Sequence, residues 1–182
     1  MAESCVINCS TSLSINELIE LIRANMQSSS AVIADLGYNA SGNRLAFKCY
    51  KFESALSTLI QSLIVPSGKD ILMFMLNEGA IWEYVFYCDG KEKDLFSPCT
   101  QYWGENDSSK WVGNPDMIAE FYKIEPSRIR NYYKQVDLDT LLSGDHEPAY
   151  AGDSDSLGSV YQAVNFMQKL GFYWPDKKFV ES

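Results

Sequence analysis

Histidine is almost missing from this chain: His146 is the single one. That removes histidine-rich metal clusters, and it leaves at most one residue for any imidazole-based acid–base chemistry. No cysteine pair has C-x-x-C spacing, and the five cysteines (Cys5, Cys9, Cys49, Cys88 and Cys99) are an odd number. A zinc site or a disulfide framework is therefore not expected, and five free thiols in a reducing, cytoplasmic setting are. Apolar runs fall far short of the roughly 18 residues needed to span a bilayer. The first residues lack the basic and long apolar segments of a secretory leader, so none is expected. No G-x-S-x-G, Walker or dinucleotide fingerprint occurs, and no cofactor is expected.

Positive charge is also scarce. Fifteen Lys and Arg stand against 24 Asp and Glu, a formal net charge of −9. Such a field disfavours nucleic acid and anionic membrane, and suits a basic protein partner or plain solubility. Small acidic proteins that neutralise basic partners, such as the immunity proteins of bacterial toxins, are similar in charge and size alone.

What is present is globular. Hydrophobic residues make up 46% of the 182 and aromatics 13%, enough for a core without staples. Residues 4–9 read as a strand. Ser14 and Glu17 form a capping-box pattern ahead of a stripe at Ile15, Leu18, Ile19, Ile22 and Met26. Residues 31–38 and 44–52 read as strands around an Asn/Gly turn, and 53–64 as a helix stopped by Pro66. Residues 70–97 read as an antiparallel meander, with Asp89-Gly90 as a hairpin signal. A last helix is expected over 156–170, with Leu157, Val160, Tyr161, Val164, Met167 and Leu170 facing inward. The fold expectation is one α+β domain over residues 1–182. It has an antiparallel sheet of about five or six strands, helices packed on one face and a helical C-terminal part.

The stretch "NPDMIAEFYKIEPSRIRNYYKQ", residues 114–135, carries one resemblance. Asn114 suits an N-cap and Pro115 the first helical position. Ile118, Ala119, Tyr122, Ile124, Ile129 and Tyr132 match the spacing of repressor-type helix-turn-helix units over about 20 residues. The match departs at Lys123, where that pattern usually has glycine. The resemblance implies that Ser127, Arg128, Arg130 and Asn131 would face a major groove. The stretch nets only +1, however, and residues 135–168 hold six acids and no Lys or Arg. A packed pair of short helices is the favoured reading, and DNA binding is disfavoured.

Other candidates are thin. His146 lies between Asp145 and Glu147 on an irregular loop and has no nameable partner. Asp153-Ser154-Asp155 lacks the closing Glu of a calcium loop, so Asp155 and Ser156 are expected to cap the last helix. Tyr102, Trp103 and Trp111 form either a plug over a sheet edge or a recognition surface. Asp145, Glu147 and Asp153 lie on an acidic loop over 143–155 that reads as exposed, and either steers a basic partner or merely connects. The function expectation is a non-catalytic protein-binding module, with those six residues as its partner-binding set. The alternatives are an enzyme with a dispersed site in a sheet-side cleft and a DNA-binding regulator using residues 115–133. No catalytic residue, metal ligand or oligomeric state can be named.

Overall fold

The computed structural model describes residues 5–10, 13–27, 29–42, 44–49, 58, 60–66, 68–77, 81–103, 108–143, 147–159 and 161–178. Its frame is an antiparallel sheet. Strands β1 (Cys5–Ser10), β2 (Gly37–Ser41), β3 (Arg44–Cys49), β4 (Ile71–Asn77), β5 (Ile81–Cys88), β6 (Lys91–Phe96) and β7 (Lys177–Lys178) lie in the order β6-β5-β4-β1-β3-β2-β7. Among the described residues the sheet thus has seven strands rather than five or six, because the C-terminal pair 177–178 adds to β2. Strands β4, β5 and β6 form the expected meander. Asp89 and Gly90 turn it with φ of 53° and 71°, the two positive values of a type I′ hairpin.

Strand alternation splits the core in two. Ile71, Met73, Leu45, Phe47 and Val85 face one side, where α1 (Ile15–Asn25) and α2 (Ser29–Asp35) bury Leu18, Ile19, Ile22, Val32 and Ile33. Leu72, Phe74, Trp82, Tyr84 and Phe86 face the other. There they meet α3 (Pro115–Tyr122) and α5 (Gln162–Lys169) through Ile118, Tyr122 and Phe166. Helices therefore cover both faces, which corrects the expectation of one. The near-continuous apolar run of β4 gave that pattern, since a strand buried on both sides shows little polar alternation. The Phe166 ring stacks on Tyr84 at 6.0 Å and 7°. Its loss would cost about 3–5 kcal/mol, as for other buried Phe→Ala changes.

Local chemistry explains the element ends. Ser14 Oγ accepts from Glu17 N while Glu17 accepts from Ser14 N, completing the capping box on α1. Residues 29–35 are helix, not strand: Val32 and Ile33 suit either element, and here they pack in the core beside α1. Most of the expected helix at 53–64 lies outside the described residues; a π-helical turn occupies Ile60–Ile64. Residues 156–159 and 161 are not helical, Val160 lies outside the described residues, and Asp155 and Ser156 do not cap α5. Its inward face is Gln162, Ala163, Phe166, Met167 and then Leu170, while Tyr161 is 60% exposed. The phase turns on Gln162, whose Oε1 accepts from Trp82 Nε1 and from the Gly158 N–H, both at 3.0 Å.

Residues 114–135 answer the helix-turn-helix question. Asn114 caps α3 through Met117 N. Lys123 takes the left-handed position (φ 57°, ψ 47°) that glycine usually fills, and Ile124 N closes back on Ala119 O. The chain then makes two 3-10 turns, Pro126–Arg128 and Arg130–Tyr133, so there is no second α-helix to lie in a groove. Arg130 pairs with Asp116, and Asn131 donates its side-chain amide to Ala149 O and its backbone N–H to the Tyr150 hydroxyl.

Candidate functional site

An open cleft of about 330 Å³ lies where the segment after β6 meets residues 135–137. Backbone bonds hold both walls to the end of β6. On one side Ser97 N donates to Trp111 O (3.0 Å). On the other, Val136 N donates to Pro98 O (2.8 Å) and Gln135 Nε2 to Ser97 O (2.8 Å). Thr100, Gln101 and Val112 line the first wall, and Gln135, Val136 and Asp137 the second. Asp137 starts α4 (Leu138–Ser143): its Oδ1 accepts from Thr140 N (2.7 Å) and its Oδ2 from Thr140 Oγ1 (2.8 Å). Leu138 N reaches across to Gln101 Oε1 at 3.4 Å.

Among the described residues the lining is valine, amide, hydroxyl and one carboxylate, with no Lys, Arg, His or Cys. Beneath it, Cys99 is fully buried. Burial pushes its thiol pKa up, and the charges of Asp137 and Glu83 push the same way against two backbone N–H bonds. Cys88 is raised to about 11, first by burial and then by Asp70 and Asp89. Neither thiol is primed as a nucleophile.

The described members of the sequence-derived set, Tyr102, Trp111, Glu147 and Asp153, are not gathered at one place. Tyr102 packs with Val136 and Leu138 on the small cluster of Ile81, Cys99 and Leu141, close to the cleft. Trp111 is half-buried against the α1/α2 core, so its ring serves packing. The side chain of Trp103 and all of Asp145 lie outside the described residues, as does His146. Glu147 is exposed, and its carbonyl accepts from Leu157 N. Asp153 turns inward: its side chain is 2% exposed, Tyr132 donates to it at 2.7 Å, and Lys169 stands 3.3 Å away. It therefore leaves the partner-binding set. The described part of the loop is pinned rather than free, since Tyr150 donates to Ser127 O and Ala149 is buried.

A second polar cluster is buried in the other half of the core. Tyr84 donates to Asp94, Tyr84 and Tyr133 share a hydrogen bond (2.8 Å), and Asn114 N donates to Asp94 (2.9 Å). Burial raises both phenols well above their ordinary value and raises the Asp94 carboxyl as well. The phenols stay protonated at neutral pH and tie β5, β6 and the start of α3 together. Among the described residues, no group of three His, Cys, Asp or Glu is placed to hold a metal ion, and no helix is long and apolar enough to cross a membrane.

No protein-family model matches the chain, and neither a curated protein nor a solved structure matches it at a significant level. The cleft had no signal in the sequence, because its two walls come from segments more than 20 residues apart.

Proposed function

We propose that the protein is a non-catalytic protein-binding module whose cleft between residues 100–112 and 135–137 receives a basic protein partner. The carrying observation is the cleft's lining: amides, hydroxyls and valines around one carboxylate, without a base–nucleophile pair. Chemistry on a substrate needs such a pair or a metal, whereas recognition needs shape, acceptors and charge of the right sign. The chain's balance of −9 supplies the sign. Val112, 52% exposed at the cleft, adds apolar contact area.

The test is affinity capture from the native host, with the wild type beside Val112→Lys, and identification by mass spectrometry. The expected result is a basic protein retained by the wild type and lost by the variant. A partner that both proteins retain equally, or one that is acidic, refutes the reading.

A further inference from the structure

We propose that strand β2 is a latent self-association edge, kept closed by the chain's own segment 172–178, and that its occupant when the segment is displaced is the β2 of a second copy. The proposal is independent of the cleft. The two borders of the described sheet are protected in different ways. β6 carries Lys91, Glu92, Lys93 and Asp94 within six residues, and its ladder to β5 skips Lys93, a bulge. Charge and a bulge both keep an edge from adding another strand. β2 has neither. It is Gly37, Tyr38, Asn39, Ala40 and Ser41, uncharged and without proline, and it pairs with β3 in unbroken register. Its protection is the segment that follows α5.

Side chains anchor that segment before its ladder begins. Phe172 is buried, its ring 5.6 Å from that of Tyr122. Lys48 Nζ stands 4.7 Å from the centre of the Trp174 ring, and Trp174 O accepts from Asn39 Nδ2 at 3.3 Å. Pro175 O rests against Gly37, where a Cβ would stand 2.5 Å from it. β7 then pairs Lys177 with Tyr38 and Lys178 with Gly37. A free strand of two residues would compete weakly for β2, but a tethered one acts at an effective concentration on the order of millimolar. Its closure excludes a second copy at ordinary protein concentrations. With the segment displaced, β2 against β2 is antiparallel, two-fold and self-complementary, and no like charges oppose each other across the pair.

The experiment is sedimentation equilibrium of the full chain at a concentration on the order of 100 µM, about a tenth of the segment's effective concentration. The wild type is expected to have the mass of one chain. Gly37→Val should have the mass of two, because its Cβ cannot share space with the Pro175 carbonyl. Lys177→Pro with Lys178→Pro leaves β2 untouched and withdraws the backbone donors of β7. It should also have the mass of two chains, and it decides the question if Gly37→Val does not fold. Ala40 is exposed on β2, and Ala40→Lys added to either variant should restore one chain, since a lysine on each copy blunts the edge. Hydrogen exchange at the amides of 38–41 should be slower in the dimer than in the same variant with Ala40→Lys. The proposal is overturned if the double-proline variant remains one chain, if Ala40→Lys leaves a dimer intact, or if the wild type already has the mass of two.

Discussion

Replacing Asp153 with alanine removes a carboxylate that is 2% exposed and leaves two groups without their partner. The Tyr132 hydroxyl, 2.7 Å away in a buried residue, loses a hydrogen bond to a charged acceptor, worth about 1.5–3 kcal/mol. Lys169 is 30% exposed and can turn to water, so its share is nearer that of a surface pair, about 0–1 kcal/mol. Together the cost is about 2–4 kcal/mol. For a chain of this length, each kcal/mol moves Tm by roughly 2–4 °C. Asp153→Asn keeps an acceptor for Tyr132 and should cost less than alanine. Lys169→Met strands the buried carboxylate and should cost about 3 kcal/mol or more, because an uncompensated charge remains. Urea unfolding followed by circular dichroism at pH 7 measures all three, and the double variant gives the coupling. If Asp153→Ala unfolds within about 0.5 kcal/mol of wild type, the range of a neutral surface change, the carboxylate is not anchoring residues 147–159 and its place in the core is wrong.

Four shorter predictions accompany it. Lys123→Gly should stabilise the protein by roughly 0.5–1 kcal/mol, since a side chain at left-handed φ is replaced by the residue that takes it freely; a lower urea midpoint would contradict the αL cap. Glu17 is held at about 2 by the Ser14 N–H, the Ser14 hydroxyl and Lys69. This depressed value adds stability above pH 4.5 that disappears as pH falls toward 2, so wild type and Glu17→Gln should converge over that window in acid-unfolding curves. Cys88 and Cys99 should react slowly with a thiol reagent at pH 7 until the chain is denatured, when all five thiols should titrate; fast native labelling of either contradicts its raised pKa. Fluorescence anisotropy should show no duplex DNA binding at moderate salt, and a salt-dependent micromolar constant would restore the helix-turn-helix reading.

What the sequence made legible was chemistry settled within a few residues. Ser14 with Glu17, Asn114 before Pro115, and Asp89-Gly90 each name a cap or turn whose partners lie within four positions, and each forms. Of the strand expected over 31–38, residues 31–35 are helix and 37–38 strand, because Val32 and Ile33 suit either element and tertiary packing decides between them. The phase of α5 was misread for a similar reason. Gln162 looks like a surface residue until Trp82, 80 positions earlier, supplies a buried donor. Asp153 looked solvated because Tyr132 and Lys169 lie 21 and 16 residues away. The cleft was invisible from sequence, since its only marked residue, Asp137, is spelled like any helix cap.

The place of β1 has a consequence for assembly. It pairs with β3 on one flank and β4 on the other, so β2–β3 and β4–β5–β6 are joined within the sheet only through residues 5–10. Both flanking strands follow it in the chain, so β1 has no partner until residues 44–49 and 71–77 exist. Two ribbons can form early from local hairpins, but the sheet closes only when this segment fills the slot between them. Until then β3 and β4 each present an unpaired edge, the template on which chains aggregate. Trimming residues 1–10 would therefore open the middle of the sheet rather than shorten a border. A synthetic peptide of that segment, offered to the trimmed chain, would be competing for an internal berth with ladders on both sides.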